Sequence, residues 1–157
     1  MLFRSLNVKC FLGSLVNVYD DYDQVRPQDQ VWVIEDDFAS DAISYRILSK
    51  KYDVIFHQAA VPRVSYSVEQ PGLTTDENLL KSVQLLEMSR GNVRRLVIAS
   101  SSSVYGGADV MPTAEDAPKL PKSPYALQKS CLEEFSKMFC NLYGMEDRKS
   151  TRLNSSH

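Results

Sequence analysis

Apolar and polar positions alternate along this chain in blocks whose period changes between that of a strand and that of a helix. Three short apolar runs, at residues 31–34, 53–57 and 96–99, have the length and the β-branched content of strands. Apolar residues spaced three or four positions apart predict helices over 41–51 and from 75 or 76 to 90. Apolar strands that alternate with helices are typical of a parallel sheet covered on both faces, so the pattern predicts an α/β fold.

Capping residues mark the ends of the predicted helices. A serine followed by Asp or Pro begins a helix, and a glycine ends one. These signals stand at Ser40-Asp41, Gly91-Asn92, Ser123-Pro124 and Tyr143-Gly144. The apolar faces of the helices are expected to hold Ile43, Ile47, Leu48, Leu79, Leu80, Val83, Leu86, Met88, Cys131, Leu132, Phe135, Met138, Phe139 and Leu142. In such folds ligands bind beyond the carboxyl ends of the strands, so the residues after each strand are the first candidates for function.

Composition narrows the class of protein. A length of 157 residues, a formal net charge of −2 and 43% hydrophobic residues fit one ordinary domain. The balanced charge argues against a nucleic-acid-binding face, and no apolar run approaches the roughly 18 residues of a membrane span. Three cysteines without a Cys-x-x-Cys spacing indicate neither a disulfide framework nor a zinc site. We therefore expect no metal, no nucleic acid, no membrane contact and a reducing, cytoplasmic setting.

The two ends of the chain differ from its middle. Residues 148–157 are polar and aperiodic, which is typical of a non-native tail or of a frayed terminus. Residues 1–15 are expected to be an uncertain or non-native start. The sequence thus predicts one domain over residues 16–147.

A candidate proton-transfer set stands out in the second half. Tyr125 and Lys129 are four residues apart in a predicted helix, so both side chains share one face. Free tyrosine, with a pKa of about 10, is a poor base at neutral pH, and a neighbouring cation favours its phenolate. An amphipathic helix with a surface lysine would show the same spacing. The serine run 100–103 favours a proton-transfer set over a plain amphipathic helix. It follows an apolar strand directly, and a hydroxyl there can relay a proton.

Three segments carry a resemblance to a known family. They are HQAA at 57–60, ASSSSVYG at 99–106 and SPYALQK at 123–129. In this order and at this spacing they resemble the NAD-dependent epimerase/dehydratase family, the extended branch of the short-chain dehydrogenases. The resemblance runs from about residue 16 to 145 and implies part of a Rossmann-like, doubly wound parallel sheet.

The resemblance implies a role for each matching residue. Tyr125 matches the catalytic base, Lys129 the group that binds the nicotinamide-ribose hydroxyls, and Ser101 the catalytic Ser/Thr. The expected NAD contacts besides Lys129 are Asp20, Asp37, Phe38, Ala59, Ala60 and Asn78. The expected substrate contacts are Pro62, Val64, Ser102 and Tyr105. His57 is expected to pack at a strand end, and the acidic stretch around Asp20 could instead be a solvated turn.

Within the family, a UDP-hexose 4-epimerase is favoured. Dehydratases and decarboxylases of the family typically have acidic residues before a Val-Tyr pair. This chain has Ser102 and Ser103 at those positions. A 4,6-dehydratase or decarboxylase remains the alternative, as does an inactive Rossmann fragment or dinucleotide-binding protein. The family's Gly-x-x-Gly-x-x-Gly turn has no match, so we expect an internal part of a larger enzyme that is inactive alone. The resemblance also implies that the parent protein is a homodimer built on its helices.

Overall fold

The structure is a computed structural model that describes residues 9–12, 32–107 and 113–145. The chain divides into two compact units, residues 1–44 and 45–157. Asp20 and the predicted domain boundaries lie outside the described residues. None of the helices described here combines the length and the apolarity that a membrane crossing requires.

In the first unit, strand β1 (Lys9–Leu12) pairs with strand β2 (Trp32–Glu35) in antiparallel register. The predicted strand at 31–34 is confirmed, but its predicted place in a parallel sheet is wrong among the described residues. An apolar run shows that a strand is covered. It does not show which neighbour supplies the backbone partners, because those hydrogen bonds carry no side-chain signature.

Helix α1 (Asp41–Leu48) begins where the capping signal predicts. The hydroxyl of Ser40 accepts from the backbone N–H of Ile43 at 3.3 Å and donates to the carboxylate of Asp36 at 2.7 Å. Ile43 and Ile47 are buried, as predicted, whereas Leu48 is 55% exposed. Leu48 is the last residue of the helix, so no further helical turn follows to cover its side chain.

The second unit contains a parallel pair of strands, β3 (Val54–His57) and β4 (Arg95–Ile98). Val54 lies opposite Arg95 and His57 opposite Ile98, so both strands end at the same edge. The connection between them is helical: α2 (Val64–Glu69), α3 (Pro71–Thr75), a π-helical turn (Asp76–Leu80) and α4 (Lys81–Ser89). This βαβ arrangement confirms the α/β class.

The helical run before β4 begins earlier than predicted. It starts at Pro71, in the first turn of α3, because a proline there needs no backbone donor. The apolar period begins only near Leu79, so it could not reveal the first turns. The π-helical turn then adds a residue to the register and leaves Leu80 52% exposed instead of buried. Gly91, at φ +70°, and a bond from Asn92 to the Met88 carbonyl end the run as predicted.

Helix α5 (Pro124–Tyr143) has both predicted caps. The Ser123 hydroxyl accepts from the Ala126 N–H at 3.1 Å, and Gly144 at φ +65° donates to the Cys140 carbonyl. Its inner face packs on α4 and β4 in a core formed by Leu79, Leu86, Leu96, Ile98, Leu132, Phe135 and Phe139. Met138 and Leu142, predicted on that face, are instead exposed. The core of this unit thus lies between α4, α5 and β4.

Candidate active site

Lys129 ties the end of β4 to helix α5. Its ammonium donates to the Ala99 carbonyl at 3.0 Å, and the side chain is only 3% exposed. Burial lowers the pKa of Lys129, because the charged form loses its hydration. An ammonium has three donors, so this geometry leaves capacity for hydroxyl groups of a ligand.

Tyr125 lies one turn before Lys129 on the buried side of α5. Its backbone N–H donates to the Ser67 hydroxyl of α2 at 3.1 Å. Ser67 is itself buried and donates to the Val64 carbonyl. The first turn of α5 is therefore held against α2, and the two predicted catalytic side chains of this helix both face inward.

Ser101 caps a short 3-10 turn, Ser102–Tyr105, at the end of β4. Its hydroxyl accepts from the Ser103 N–H at 3.2 Å and from the Ser103 hydroxyl at 2.9 Å. The turn packs against α5. The serine run is thus an ordered turn, and the three predicted catalytic residues stand on elements in mutual contact. Ser102 is exposed.

A second contact joins the end of β4 to α5. The Ser100 hydroxyl donates to the Glu133 carboxylate, which also pairs with Lys119 at 2.7 Å. Lys119 reaches Glu134 as well, at 2.8 Å. Sequence reasoning missed Glu133, although its place one turn after Lys129 on the same helix face was the available signal.

The segment around Lys119 covers the 3-10 turn. Leu120 donates to the Val104 carbonyl at 3.0 Å, and the Tyr105 hydroxyl donates to the Glu115 carbonyl at 3.2 Å. A Cβ on Gly106, at φ +69°, would collide with the Leu120 carbonyl. Tyr105, a predicted substrate contact, thus uses its hydroxyl within the protein.

The residues after β3 are held by Asn78. Its Oδ1 accepts from the Val61 N–H at 2.6 Å and its Nδ2 donates to the Val61 carbonyl at 3.2 Å. Ala59 and Ala60 directly precede this clamp and are half-buried. Of the other residues predicted near substrate, Pro62 and Val64 are exposed at the start of α2.

His57 packs inside the unit, as predicted. Its Nε2 lies 2.8 Å from the Ser82 hydroxyl, and its side chain is almost fully buried. Burial, helped by the positive charge of Lys129, lowers the pKa of His57 from 6.5 to about 4. The imidazole is therefore neutral at physiological pH and adds no charge beside Lys129.

Asp37 and Phe38 belong to the first unit. Asp37 is exposed, and its Oδ1 accepts from the Ala39 N–H at 2.8 Å; Phe38 is buried. This turn, which holds two of the expected NAD contacts, follows β2 directly.

A cavity of about 360 Å³ opens between β4 and α5. Ala99, Ser100 and Lys129 line it, with the apolar base formed by Leu96 and Leu132. Among the residues given a place in the structure, Ser101 and Tyr125 are not part of its wall. The cavity therefore adjoins the predicted proton-transfer set at Lys129 without containing it.

Comparison with known proteins gives a consistent result. The family model described as GDP-mannose 4,6 dehydratase matches residues 6–155. A UDP-glucose 4-epimerase of Mycolicibacterium smegmatis is 42% identical over 98 residues, which are 61% of this chain and 31% of that protein.

Two solved structures share the fold. The UDP-N-acetylglucosamine 4-epimerase of Methanobrevibacter ruminantium, in complex with UDP-N-acetylmuramic acid, is 37% identical with a TM-score of 0.66, covering 71% of this chain and 36% of that one. The UDP-glucose 4-epimerase of Thermus thermophilus, in complex with NAD, is 34% identical with a TM-score of 0.63, covering 69% and 36%. The chain thus spans about a third of the length of the relatives that it matches.

Proposed function

The chain belongs to the NAD-dependent epimerase/dehydratase family, and we propose that it supplies the proton-transfer part of a UDP-hexose 4-epimerase. One observation carries the proposal. The buried ammonium of Lys129 is hydrogen-bonded to the last residue before the serine turn, one helical turn from Tyr125. A buried cation at this place is costly unless a ligand uses it.

The residues present fit the nicotinamide-ribose end of NAD. Lys129 keeps donors for ribose hydroxyls, and the small side chains of Ala59 and Ala60 let a ligand approach the backbone after β3. Lys129 and the two alanines lie at the shared edge where β3 and β4 end. Dinucleotides bind at this edge in such sheets. Asp37, on the turn after β2, would accept from the adenine amino group.

Each catalytic residue has one proposed task. Tyr125 takes the proton from the C4 hydroxyl of the sugar, and Ser101 donates a hydrogen bond to the same oxygen. Lys129 binds and orients the hydroxyls of the nicotinamide ribose. The cofactor, when bound, would supply the hydride acceptor as NAD+ and the hydride donor as NADH, so its net consumption would be zero.

The 3-10 turn favours epimerisation over water elimination. Elimination needs a carboxylate near the hydroxyl-bearing carbon, and positions 102 and 103 hold serines. Ser103 donates to Ser101, which gives it a positioning contact but no acid–base strength near neutral pH. Ser102, Pro62 and Val64 are exposed and remain our candidates for sugar contacts, with Tyr105 supporting the turn.

A chimera tests this function at the length of a whole relative. The 98 matched residues of the Mycolicibacterium smegmatis enzyme are replaced by those of this chain. We expect interconversion of UDP-glucose and UDP-galactose, and its loss by at least about a thousandfold on Tyr125→Phe, which removes the base. Tyr143→Phe, at the far end of the same helix, is the matched control. Release of a 4-keto-6-deoxy sugar would instead identify a dehydratase.

Titration of the 157-residue chain with NAD+ separates the remaining alternatives. NAD+ binding by the chain, together with no turnover by the chimera, would favour a dinucleotide-binding protein. A chimera that folds but neither binds NAD+ nor turns over would favour an inactive Rossmann unit. A cytoplasmic location is part of the proposal, because the three cysteines of the sequence show no spacing typical of a disulfide framework.

A further inference from the structure

Gln128, the residue before Lys129, is buried, and its side-chain amide both accepts and donates hydrogen bonds. It is 3% exposed. Its Oε1 accepts from Asn78 Nδ2 at 2.9 Å, and its Nε2 donates to the hydroxyls of Thr74 and Thr75, each at 3.1 Å. One side chain thus connects α5 to α3 and to the π-helical turn.

Backbone groups beyond the threonines and beyond Asn78 determine which atom donates and which accepts in each of these hydrogen bonds. The Thr75 hydroxyl donates to the Pro71 carbonyl at 2.7 Å, and the Thr74 hydroxyl donates to the Gln70 carbonyl at 3.0 Å. Each hydroxyl has one proton, so both must accept from the Gln128 amide. At the other end, Asn78 accepts from the Val61 N–H, which turns its NH₂ group towards Gln128.

The bonds therefore form one directed chain from Val61 through Asn78 and Gln128 to the threonines. It joins the segment after β3, which carries Ala59 and Ala60, to the turn of α5 that carries Tyr125 and Lys129. We propose that Gln128 is a positioning residue that sets the spacing between these two segments by holding the side-chain amide of Asn78. This inference rests on the proposed function for its catalytic meaning, but the coupling itself does not.

Amide hydrogen exchange at Val61 tests the coupling without any ligand. Gln128→Leu keeps the bulk of the side chain and removes all three of its bonds. We expect the Val61 amide to exchange about tenfold faster, since the Asn78 side chain that accepts from it loses its hydrogen bond to Gln128. The amides of Ala126 and Leu127 should keep their rates. Gln84→Leu, on the exposed side of α4, is the matched control and should change neither.

Gln128→Glu separates positioning from simple support of the helix. A carboxylate still accepts from Asn78 but can no longer donate to the threonines, so Val61 should exchange within about twofold of its original rate. An unchanged rate at Val61 in Gln128→Leu would overturn the proposal. So would an equal rise at Ala126 and Leu127, which would mean that Gln128 only stabilises the helix.

The chimera links the coupling to catalysis. Gln128→Leu is expected there to lower kcat about tenfold with the KM for the sugar nucleotide unchanged, because misplacement of the base costs rate more than binding. An unchanged kcat would overturn the catalytic role of the coupling. Failure of the unsubstituted chimera would count against the proposed function alone, since the exchange measurement needs no activity.

Discussion

Lys129 holds a positive charge almost entirely out of water, with the Ala99 carbonyl as its hydrogen-bond partner. Lys129→Met removes the charge and keeps the stem. Relief of the buried charge and loss of the bond to Ala99 oppose one another, so the free energy of unfolding should change by less than about 1 kcal/mol. NAD+ affinity in the chimera should fall at least about tenfold.

Urea unfolding and calorimetric titration measure the two effects. Lys81→Met, which removes a surface pair with Glu77, is the control and should leave NAD+ affinity unchanged. Destabilisation of more than about 3 kcal/mol would instead make the ammonium a structural group.

His57 predicts a specific loss of stability in acid. In the unfolded chain it binds a proton below pH 6.5, whereas in the folded chain its pKa is about 4. The unfolded state therefore binds more protons between these values, and stability falls as the pH falls through this window, by up to about 3 kcal/mol.

His57→Gln should flatten the pH dependence of the unfolding free energy between pH 6.5 and 4. An unaltered slope in His57→Gln would mean that other groups carry it.

Position 106 requires glycine both because its backbone is left-handed and because a Cβ there would collide with a neighbour. Comparison with Gly91 tests these two reasons separately. Gly91 has almost the same φ, +70° against +69°, but faces open space, whereas a Cβ on Gly106 meets the Leu120 carbonyl. Gly91→Ala should cost about 1 kcal/mol of unfolding free energy for the left-handed backbone alone. Gly106→Ala should cost at least about 2 kcal/mol more, because backbone must move. Equal costs would show that the loop can give way.

Among the elements, α5 carries most of the candidate chemistry, and its first turn depends on its cap. Ser123→Ala should lower the free energy of unfolding by about 1 kcal/mol, because the Ala126 N–H loses its acceptor. Ser136→Ala in the same helix removes only a bond to the Leu132 carbonyl and should be nearly neutral. Chemical denaturation compares the two; similar losses would argue against capping as the cause.

For the whole molecule, we propose that the parent protein is a homodimer formed by its helices. An open groove between the 71–89 helical run and α5 is lined by Leu79, Leu80, Val83 and Phe135. Leu73, Leu80 and Leu127 are about half-exposed on these helices. Covering such apolar positions is favourable on association.

Sedimentation of the chain across a range of concentrations tests this arrangement. Leu80→Lys and Leu127→Lys should yield monomers, because each puts a charge into the proposed contact. Leu48→Lys, an equally exposed leucine on α1, should leave the association unchanged. A chain that is monomeric at high concentration would count against the proposal.

Local chemistry in the sequence by itself determined the class of fold, the start of α1, both ends of α5, and the Tyr125–Lys129 pair. Caps and a four-residue spacing act within one turn of helix, so neighbouring residues suffice to specify them. The family motifs at 57–60, 99–106 and 123–129 are local in the same sense, and they pointed to the shared edge of β3 and β4.

Only the tertiary structure decided the antiparallel partner of β2, the exposure of Leu80 and the contacts of Gln128 and Glu133. Strand pairing uses backbone groups that every residue has, so the sequence does not specify the partner of β2. A π-helical turn adds a residue to one turn of the helix and so rotates the side chains there away from the face that a regular helical period predicts. The bond from Gln128 to Asn78 joins residues 50 positions apart. No periodicity encodes such a contact, because it exists only once two separate segments have packed together.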